Sequence, residues 1–154
     1  MKLSIIIPCY NEESTIKKII QKINEQSEIE KEIIVIDDFS TDKTKEILEN
    51  ELKTSVDQIF YNSQNYGKGY TIRKGIEKAT GDFILIQDAD LEYDPTDYKK
   101  LLNPIKTGLA DVVYGSRFLG TSERRVLYFW HTVGNKFLTL LSNMFSNLNL
   151  TDME

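Results

Sequence analysis

The chain has 154 residues, 40% of them hydrophobic and 28% charged, which is the size and composition of an ordinary globular domain. Its net charge of −5, from 19 Lys and Arg against 24 Asp and Glu, argues against the broad basic surface of a nucleic-acid-binding protein. A single cysteine and a single histidine exclude an intramolecular disulfide framework, a multi-cysteine zinc site and a histidine-rich metal centre. We therefore expect the chemistry to come from carboxylates, a few basic side chains and backbone amides.

Strand and helix patterns alternate along most of the chain. Residues 3–7 form a short apolar run that ends at Pro8, and residues 13–23 carry isoleucines at helical spacing. In chain order, the patterns predict strand 3–7, helix 13–23, strand 32–36, helix 41–52, strand 58–61, helix 69–79, strand 83–87, helix 97–102 and strand 111–114. Because the strands are continuous apolar runs between helices, we predict an α/β fold with a mainly parallel sheet covered on both faces.

The segment 124–150 is rich in large apolar side chains. One helical face of it carries Phe137, Leu141, Met144, Phe145 and Leu148. One interpretation is a helix that packs against the core. The other is an amphipathic helix at a membrane interface, with Arg124, Arg125 and Lys136 near anionic headgroups and Trp130 at the boundary. No stretch approaches the ~18 uninterrupted apolar residues of a membrane-spanning helix.

Polar clusters follow four of the predicted strands. They are Asn11-Glu12 after the first strand, Asp37-Asp38 after the second, Asp88-Ala89-Asp90 after the fourth and Gly115-Ser116-Arg117 after the fifth. In open parallel sheets, ligands bind beyond the carboxyl ends of the strands. The convergence of these clusters on one sheet edge therefore predicts a binding site there.

Asp88 and Asp90 are the first candidates for metal binding. Two carboxylates separated by one residue, directly after a buried strand, can both reach one hard divalent cation. The alternative is that they only accept turn and cap hydrogen bonds, a common role of aspartate. The segment is no EF-hand loop, because Tyr93 stands where that loop requires glycine.

Two further clusters suit a nucleotide. Asp37 and Asp38 can accept hydrogen bonds from a base or a ribose, while Ser40 or Thr41 with Asp42 can cap the following helix. Lys68, between Gly67 and Gly69 at the start of a predicted helix, suits a diphosphate, although a plain turn explains it equally well. Arg117 can pair with a phosphate or form a surface ion pair.

Five motifs occur in a familiar order. They are Pro8-x-Tyr10-Asn11-Glu12, Asp37-Asp38-x-Ser40-x-Asp42, Asn65-x-Gly67-Lys68-Gly69, Asp88-x-Asp90 and Gly115-Ser116-Arg117-Phe118. In this order the chain resembles the family 2 glycosyltransferases, which have the GT-A (nucleotide-diphospho-sugar transferase) fold. Within that family it is most similar to the dolichyl- and polyprenyl-phosphate hexosyltransferases, of the dolichol-phosphate mannosyltransferase type.

The resemblance implies a role for each site residue. Pro8, Tyr10, Glu12 and Asp37 would hold the base and ribose, with Asp38, Lys68, Asp88 and Ala89 also at the donor. Asp88 and Asp90 would hold Mg²⁺ or Mn²⁺, and Glu92 stands where the family often has glutamine as a further ligand. Arg117 would contact a phosphate, and Asp152 stands where relatives have a proposed base. The catalytic set that the resemblance implies is Asp90, Arg117 and Asp152.

The implied activity is metal-dependent, inverting transfer of a hexose from GDP-mannose or UDP-glucose to a polyprenyl phosphate, at the cytoplasmic face of a membrane. Residues 1–154 would form one catalytic domain, and we expect a C-terminally truncated sequence because family members continue further. Two alternatives stay open, a transferase acting on a glycan or cell-surface polysaccharide and a non-catalytic nucleotide-sugar-binding module. The sequence leaves the oligomeric state open.

Overall fold

The computed structural model describes residues 1–115, 129–147 and 149–151. The chain divides into two compact units, Met1–Tyr98 and Lys99–Glu154. The strands are β1 (Leu3–Cys9), β2 (Lys31–Asp37), β3 (Gln58–Tyr61) and β4 (Phe83–Ile86). The helices are α1 (Ile16–Glu25), α2 (Thr44–Asn50), α3 (Lys68–Lys78), α4 (Tyr98–Lys106) and α5 (Phe129–Ser146), with one 3₁₀ turn at Pro95–Asp97.

The four strands of the first unit form one parallel sheet in the order β3-β2-β1-β4. The predicted α/β class and parallel sheet are confirmed. The chain adds β2 and β3 on one side of β1 and then crosses to add β4 on the other side. This reversal of strand order beside β1 decides where a ligand can bind, because the loops diverge there and leave a crevice.

The core surrounds β1 and β2. All seven residues of β1 are buried, as are the last six of β2, which explains the apolar runs 5–7 and 33–36 within them. Helix α1 buries Ile16, Ile19, Ile20 and Ile23. Helix α3 lies so close to the sheet that a Cβ on Gly75 would come within 2.4 Å of Ile6 and 2.8 Å of Ile36. Glycine at position 75 therefore allows the close approach of α3 to the sheet.

Two predicted helices begin later in the structure than the sequence indicates. Helix α1 begins at Ile16, three residues later than predicted, and α2 begins at Thr44. The predicted N-cap at Ser40 or Thr41 is wrong, because Lys43 stands at that position and its side chain makes no capping hydrogen bond. The predicted role of Asp42 at this helix end is confirmed, since its Oδ1 accepts the N–H of Thr44 at 2.9 Å. Asn11 accepts hydrogen bonds from the backbone N–H groups at positions 41 and 42, which holds this segment outside the helix.

The predicted fifth strand, 111–114, is also wrong. These residues form no strand, and Val112 and Tyr114 are 67% and 64% exposed. A β-branched run favours extended backbone, but a strand needs a neighbour to accept its hydrogen bonds.

Helix α5 exposes much of the apolar face that the sequence placed on it. Phe137, Met144 and Phe145 are exposed, while Asn135 and Thr139 are buried and hydrogen-bonded to each other at 3.0 Å. The core-packing interpretation is therefore wrong for these three apolar side chains. Leu148 and residues 124–128 lie outside the described residues. Among the described residues, no helix has the length and hydropathy needed to cross a bilayer.

A buried carboxylate joins the amino-terminal ends of three strands. Glu32 is 4% exposed and accepts hydrogen bonds from Lys2 Nζ, Ser4 Oγ and the N–H and hydroxyl of Thr80. Burial acts to raise the pKa of Glu32, but the hydrogen bonds from Lys2, Ser4 and Thr80 outweigh it and lower the pKa to about 2. The ionised form of Glu32 therefore stabilises the fold.

We expect Glu32→Gln to lower the free energy of unfolding by about 2 kcal/mol at pH 7, because hydrogen bonds to a buried charge are lost. The folded pKa lies below the unfolded one, so the contribution is complete above about pH 4.5 and is lost as the pH falls towards about 2. Urea unfolding of both proteins at several pH values measures this difference.

Glu30→Gln is the matched control, because Glu30 is exposed and its carboxylate pairs with the chain's amino group at 3.4 Å. We expect its effect to stay within about 0.5 kcal/mol. A Glu32→Gln protein as stable as this control at pH 7 would show that the buried carboxylate does not hold the strand ends together.

Candidate functional site

A cavity of about 320 Å³ opens at the carboxyl ends of the strands, where the strand order reverses beside β1. It brings together eight of the residues predicted for the site: Pro8, Tyr10, Glu12, Asp38, Lys68, Asp88, Ala89 and Asp90. Asp37 and Glu92 do not line it. Arg117 and Asp152 lie outside the described residues.

The cavity also contains four residues to which the sequence assigned no role of their own: Cys9 and Thr71, together with Asn65 and Gly67 of the third motif. Thr71 had a usable signal, because it stands four residues after Gly67 and so faces the same side of the first turn of α3. Cys9 is 3% exposed, and burial raises the pKa of its thiol well above the ordinary value. We therefore expect a neutral, unreactive thiol at this position.

The loop after β1 is fixed to the loop after β2. Asn11 has a φ of 58°, and its side-chain oxygen accepts the N–H groups of Thr41 and Asp42. The N–H of Glu12 donates to Thr44 Oγ1 at 2.8 Å. Tyr10, which is 45% exposed, and Glu12 line the cavity from this loop.

The two consecutive aspartates after β2 have different surroundings. Asp37 is 1% exposed, and its carboxylate accepts the hydroxyl and the N–H of Ser40, so it holds its own turn. Asp38 reaches the cavity instead. Its oxygens accept hydrogen bonds from Asn62 Nδ2 at 2.7 Å, the N–H of Tyr66 at 3.0 Å and the N–H of Gly67 at 2.7 Å.

The Asp38 carboxylate thus joins the end of β2 to the start of α3. Burial acts to raise the pKa of Asp38, but the hydrogen bonds from Tyr66, Asn62 and Gly67 lower it below the ordinary value. Gly67 has a φ of 86°, a conformation that favours glycine, and it directly precedes Lys68, the first residue of α3. The anchored loop therefore fixes the start of α3 at Lys68.

Lys68 extends across the cavity to the loop after β4. Its ammonium lies 2.7 Å from Oδ1 and 2.9 Å from Oδ2 of Asp88. Asp90 is exposed, and its Oδ1 accepts the N–H of Glu92 at 2.9 Å, which is the turn role that aspartate also serves. Beneath this loop the buried Gln87 donates to the carbonyl of Asp88 and accepts the hydroxyl of Tyr98.

A divalent cation at Asp88 and Asp90 would have to be shared with a ligand. The Asp88 carboxylate already holds a cation, the ammonium of Lys68, with both of its oxygens. Among the described residues, no three Asp, Glu, His or Cys side chains are grouped closely enough to hold a metal. Asp88 and Asp90 can therefore supply only part of a coordination shell, as is typical of Mg²⁺ held by one or two carboxylates and a substrate's phosphates.

A family model described as "Glycosyl transferase family 2" matches residues 4–150. The chain therefore belongs to this family. It is 32% identical over 120 residues to a protein named dolichol-phosphate mannosyltransferase from Pyrococcus furiosus, covering 77% of this chain and 34% of the relative. It is 34% identical over 154 residues to the low-salt glycan biosynthesis hexosyltransferase Agl6 from Haloferax volcanii, covering 97% of this chain and 36% of that protein.

Solved structures support the GT-A assignment. The mannosyltransferase PcManGT from Pyrobaculum calidifontis, in complex with GDP-Man and Mn²⁺, matches 57% of this chain and 27% of its own, with a TM-score of 0.53 and 28% identity. TarS of S. aureus, in complex with UDP-GlcNAc, matches 80% of this chain and 37% of its own, with a TM-score of 0.61 and 26% identity. The chain spans about a third of the length of the curated relatives it matches.

We expect Asp38→Asn to lower the free energy of unfolding by about 1–3 kcal/mol, because an amide NH₂ would face backbone N–H groups that now have an acceptor. Since the folded pKa of Asp38 is lowered, its contribution is present at neutral pH and is lost as the pH falls below the ordinary value of 3.8. Urea unfolding at pH 7 and at lower pH measures both effects.

Asp90→Asn makes the same chemical change at an exposed carboxylate whose Oδ1 accepts the turn N–H of Glu92. We expect this control to cost no more than about 0.5 kcal/mol. Equal stability of the two variants at pH 7 would contradict the anchoring role of Asp38.

Proposed function

We propose that this chain binds a nucleotide sugar in the cavity beside β1 and belongs to an enzyme that transfers the hexose to a polyprenyl phosphate. The observation that supports this most directly is the meeting of Glu12, Asp38, Lys68 and Asp88 in one cavity at the reversal of strand order. Donor candidates are GDP-mannose and UDP-glucose. The named ligands of the similar solved structures include both a GDP-sugar and a UDP-sugar.

The loops after β1 and β2 would bind the nucleoside. Tyr10 offers a half-exposed ring, Pro8 an apolar wall and Glu12 a carboxylate acceptor. The resemblance implies that Asp37 holds the base and ribose. Because its carboxylate bonds to Ser40, an indirect contribution through the shape of the turn is the better-supported role. Asp38 would act in the same indirect way through the loop that contains Gly67.

The loops after β3 and β4 would bind the diphosphate. Asp88 and Asp90 would hold Mg²⁺ or Mn²⁺ together with phosphate oxygens. Ala89 between them is only 3% exposed, so this segment packs against the protein. Such a cation stabilises the negative charge that develops on the departing diphosphate. Glu92 does not line the cavity, so we give it no ligand role.

The acceptor half of the proposal rests on chemistry and on relatives. A phosphate monoester has a second pKa near ~6, so it is an anion at pH 7 and needs cations to position it more than it needs a base. Arg117 would supply such a cation, and Asp152 would serve as a base if the acceptor were a hydroxyl. A relative's name, dolichol-phosphate mannosyltransferase, favours the lipid phosphate.

Helix α5 would hold the protein at the cytoplasmic face of a membrane. Trp130 is 77% exposed, Phe145 is 89% exposed, and the exposed Lys136 on the same helix can meet an anionic headgroup. Interfacial helices combine apolar side chains with basic ones in this way. A glycan acceptor is the second candidate, favoured by the similarity over 97% of the chain to a hexosyltransferase of glycan biosynthesis. The third is a non-catalytic nucleotide-sugar-binding module, which would bind a donor without turnover.

We expect one nucleotide, UDP or GDP, to raise the melting temperature in the presence of Mn²⁺ and not with EDTA. A ligand at 100 times its dissociation constant stabilises a fold by roughly 2.7 kcal/mol, which is readily measured. The panel contains UDP, GDP, UDP-glucose and GDP-mannose, each with Mn²⁺ or EDTA.

The double variant Asp88→Asn/Asp90→Asn should lose this shift while melting close to the wild type, because both carboxylates are at the edge of the cavity. A cooperative wild-type transition that no nucleotide shifts would contradict the donor site.

We expect the chain to sediment with vesicles that contain phosphatidylglycerol and to lose most of this binding in Trp130→Ser/Phe145→Ser. Burial of these two side chains in the interface provides the driving force. Tyr114→Ser is the control, since Tyr114 is an exposed aromatic residue outside α5. Equal sedimentation of both variants and the wild type would contradict the membrane role of α5.

A further inference from the structure

Lys68 and Asp88 form an ion pair inside the proposed donor site. One ammonium contacts both carboxylate oxygens, at 2.7 and 2.9 Å. A divalent cation that binds at Asp88 must take at least one of these oxygens. Since the ammonium and the metal are both positive, their simultaneous presence at one carboxylate is unfavourable.

The two partners of this pair differ in their freedom to move. The Asp88 side chain is 23% exposed, and the loop that carries it is held by Gln87. The Lys68 side chain is 60% exposed, so its ammonium can leave the carboxylate without breaking the packing of the fold. The backbone of Lys68 stays in place, because Asp38 binds the N–H of Gly67 immediately before it.

We propose that Lys68 is a built-in cation that occupies Asp88 while the metal site is empty and moves to the donor's diphosphate when a metal takes the carboxylate. This inference rests on the proposed function. Lys68 then has two opposed effects. It competes with the metal when no nucleotide is present, and it adds a cation for the phosphates when metal and nucleotide bind together.

The opposed effects give Lys68→Gln an unusual signature. Affinity for Mn²⁺ alone should rise about threefold, the scale of a partly exposed ion pair. Affinity for the nucleoside diphosphate at saturating Mn²⁺ should fall about tenfold, the scale of a charge-assisted hydrogen bond. An ion pair that only stabilises the loop would not move the two affinities in opposite directions.

The experiment measures free Mn²⁺ by electron paramagnetic resonance in a titration of the chain, and then UDP and GDP binding by calorimetry at saturating Mn²⁺. Lys68→Arg keeps the charge and should stay close to the wild type in both measurements. Lys45→Gln is the matched control, because it removes the same charge from an exposed lysine that pairs with Glu49 on α2, away from the cavity.

Tighter Mn²⁺ binding with weaker nucleotide binding in Lys68→Gln, and neither change in Lys45→Gln, is the expected result. Unchanged or weaker Mn²⁺ binding in Lys68→Gln, with a wild type that binds Mn²⁺ and nucleotide normally, overturns the exchange role of Lys68 and leaves the proposed function standing. A wild type and a Lys68→Gln variant that both bind neither Mn²⁺ nor any nucleotide overturn the proposed function and this inference together.

Discussion

The hydrogen bonds of the Asp38 carboxylate join three parts of the chain that are distant in sequence: the end of β2, Asn62 after β3, and the loop that begins α3. Gly67 adopts a positive φ at this connection, and Lys68 is the next residue in the chain. Once α3 begins there, Gly75 brings the helix against Ile6 of β1 and Ile36 of β2. The cavity, the direction of Lys68 and the packing of α3 thus share one anchor.

The strands could be predicted from their apolar runs, but their order in the sheet could not. The limits 58–61 of β3 were predicted, and the apolar runs within β1 and β2 correctly indicated burial on both faces. The position of β4 beside β1 depends on a crossover that no local pattern records. The failed strand at 111–114 shows the same limit, because strand formation depends on a neighbour as well as on β-branched residues.

The site was predictable as a set of loops and less so as individual side chains. Strand ends located Glu12 and Asp88 in the cavity, because the carboxyl ends of parallel strands share one edge, and the glycine-flanked start of a helix located Lys68 there. The different surroundings of Asp37 and Asp38 depend on partners such as Ser40 and Gly67, whose approach is set by tertiary structure. The late start of α2 has a similar cause, since Asn11 is some thirty residues away.

The central claim, that a metal and a nucleoside diphosphate bind beside β1 and β4, is tested most directly by nuclear magnetic resonance of the ¹⁵N-labelled chain. Mn²⁺ broadens the signals of nearby amides, so its position can be read residue by residue. With UDP or GDP present, we predict broadening centred on residues 87–91 and extending to 66–69 and 9–12. Broadening centred instead on residues 49–61, or spread evenly over the acidic surface, would contradict the account.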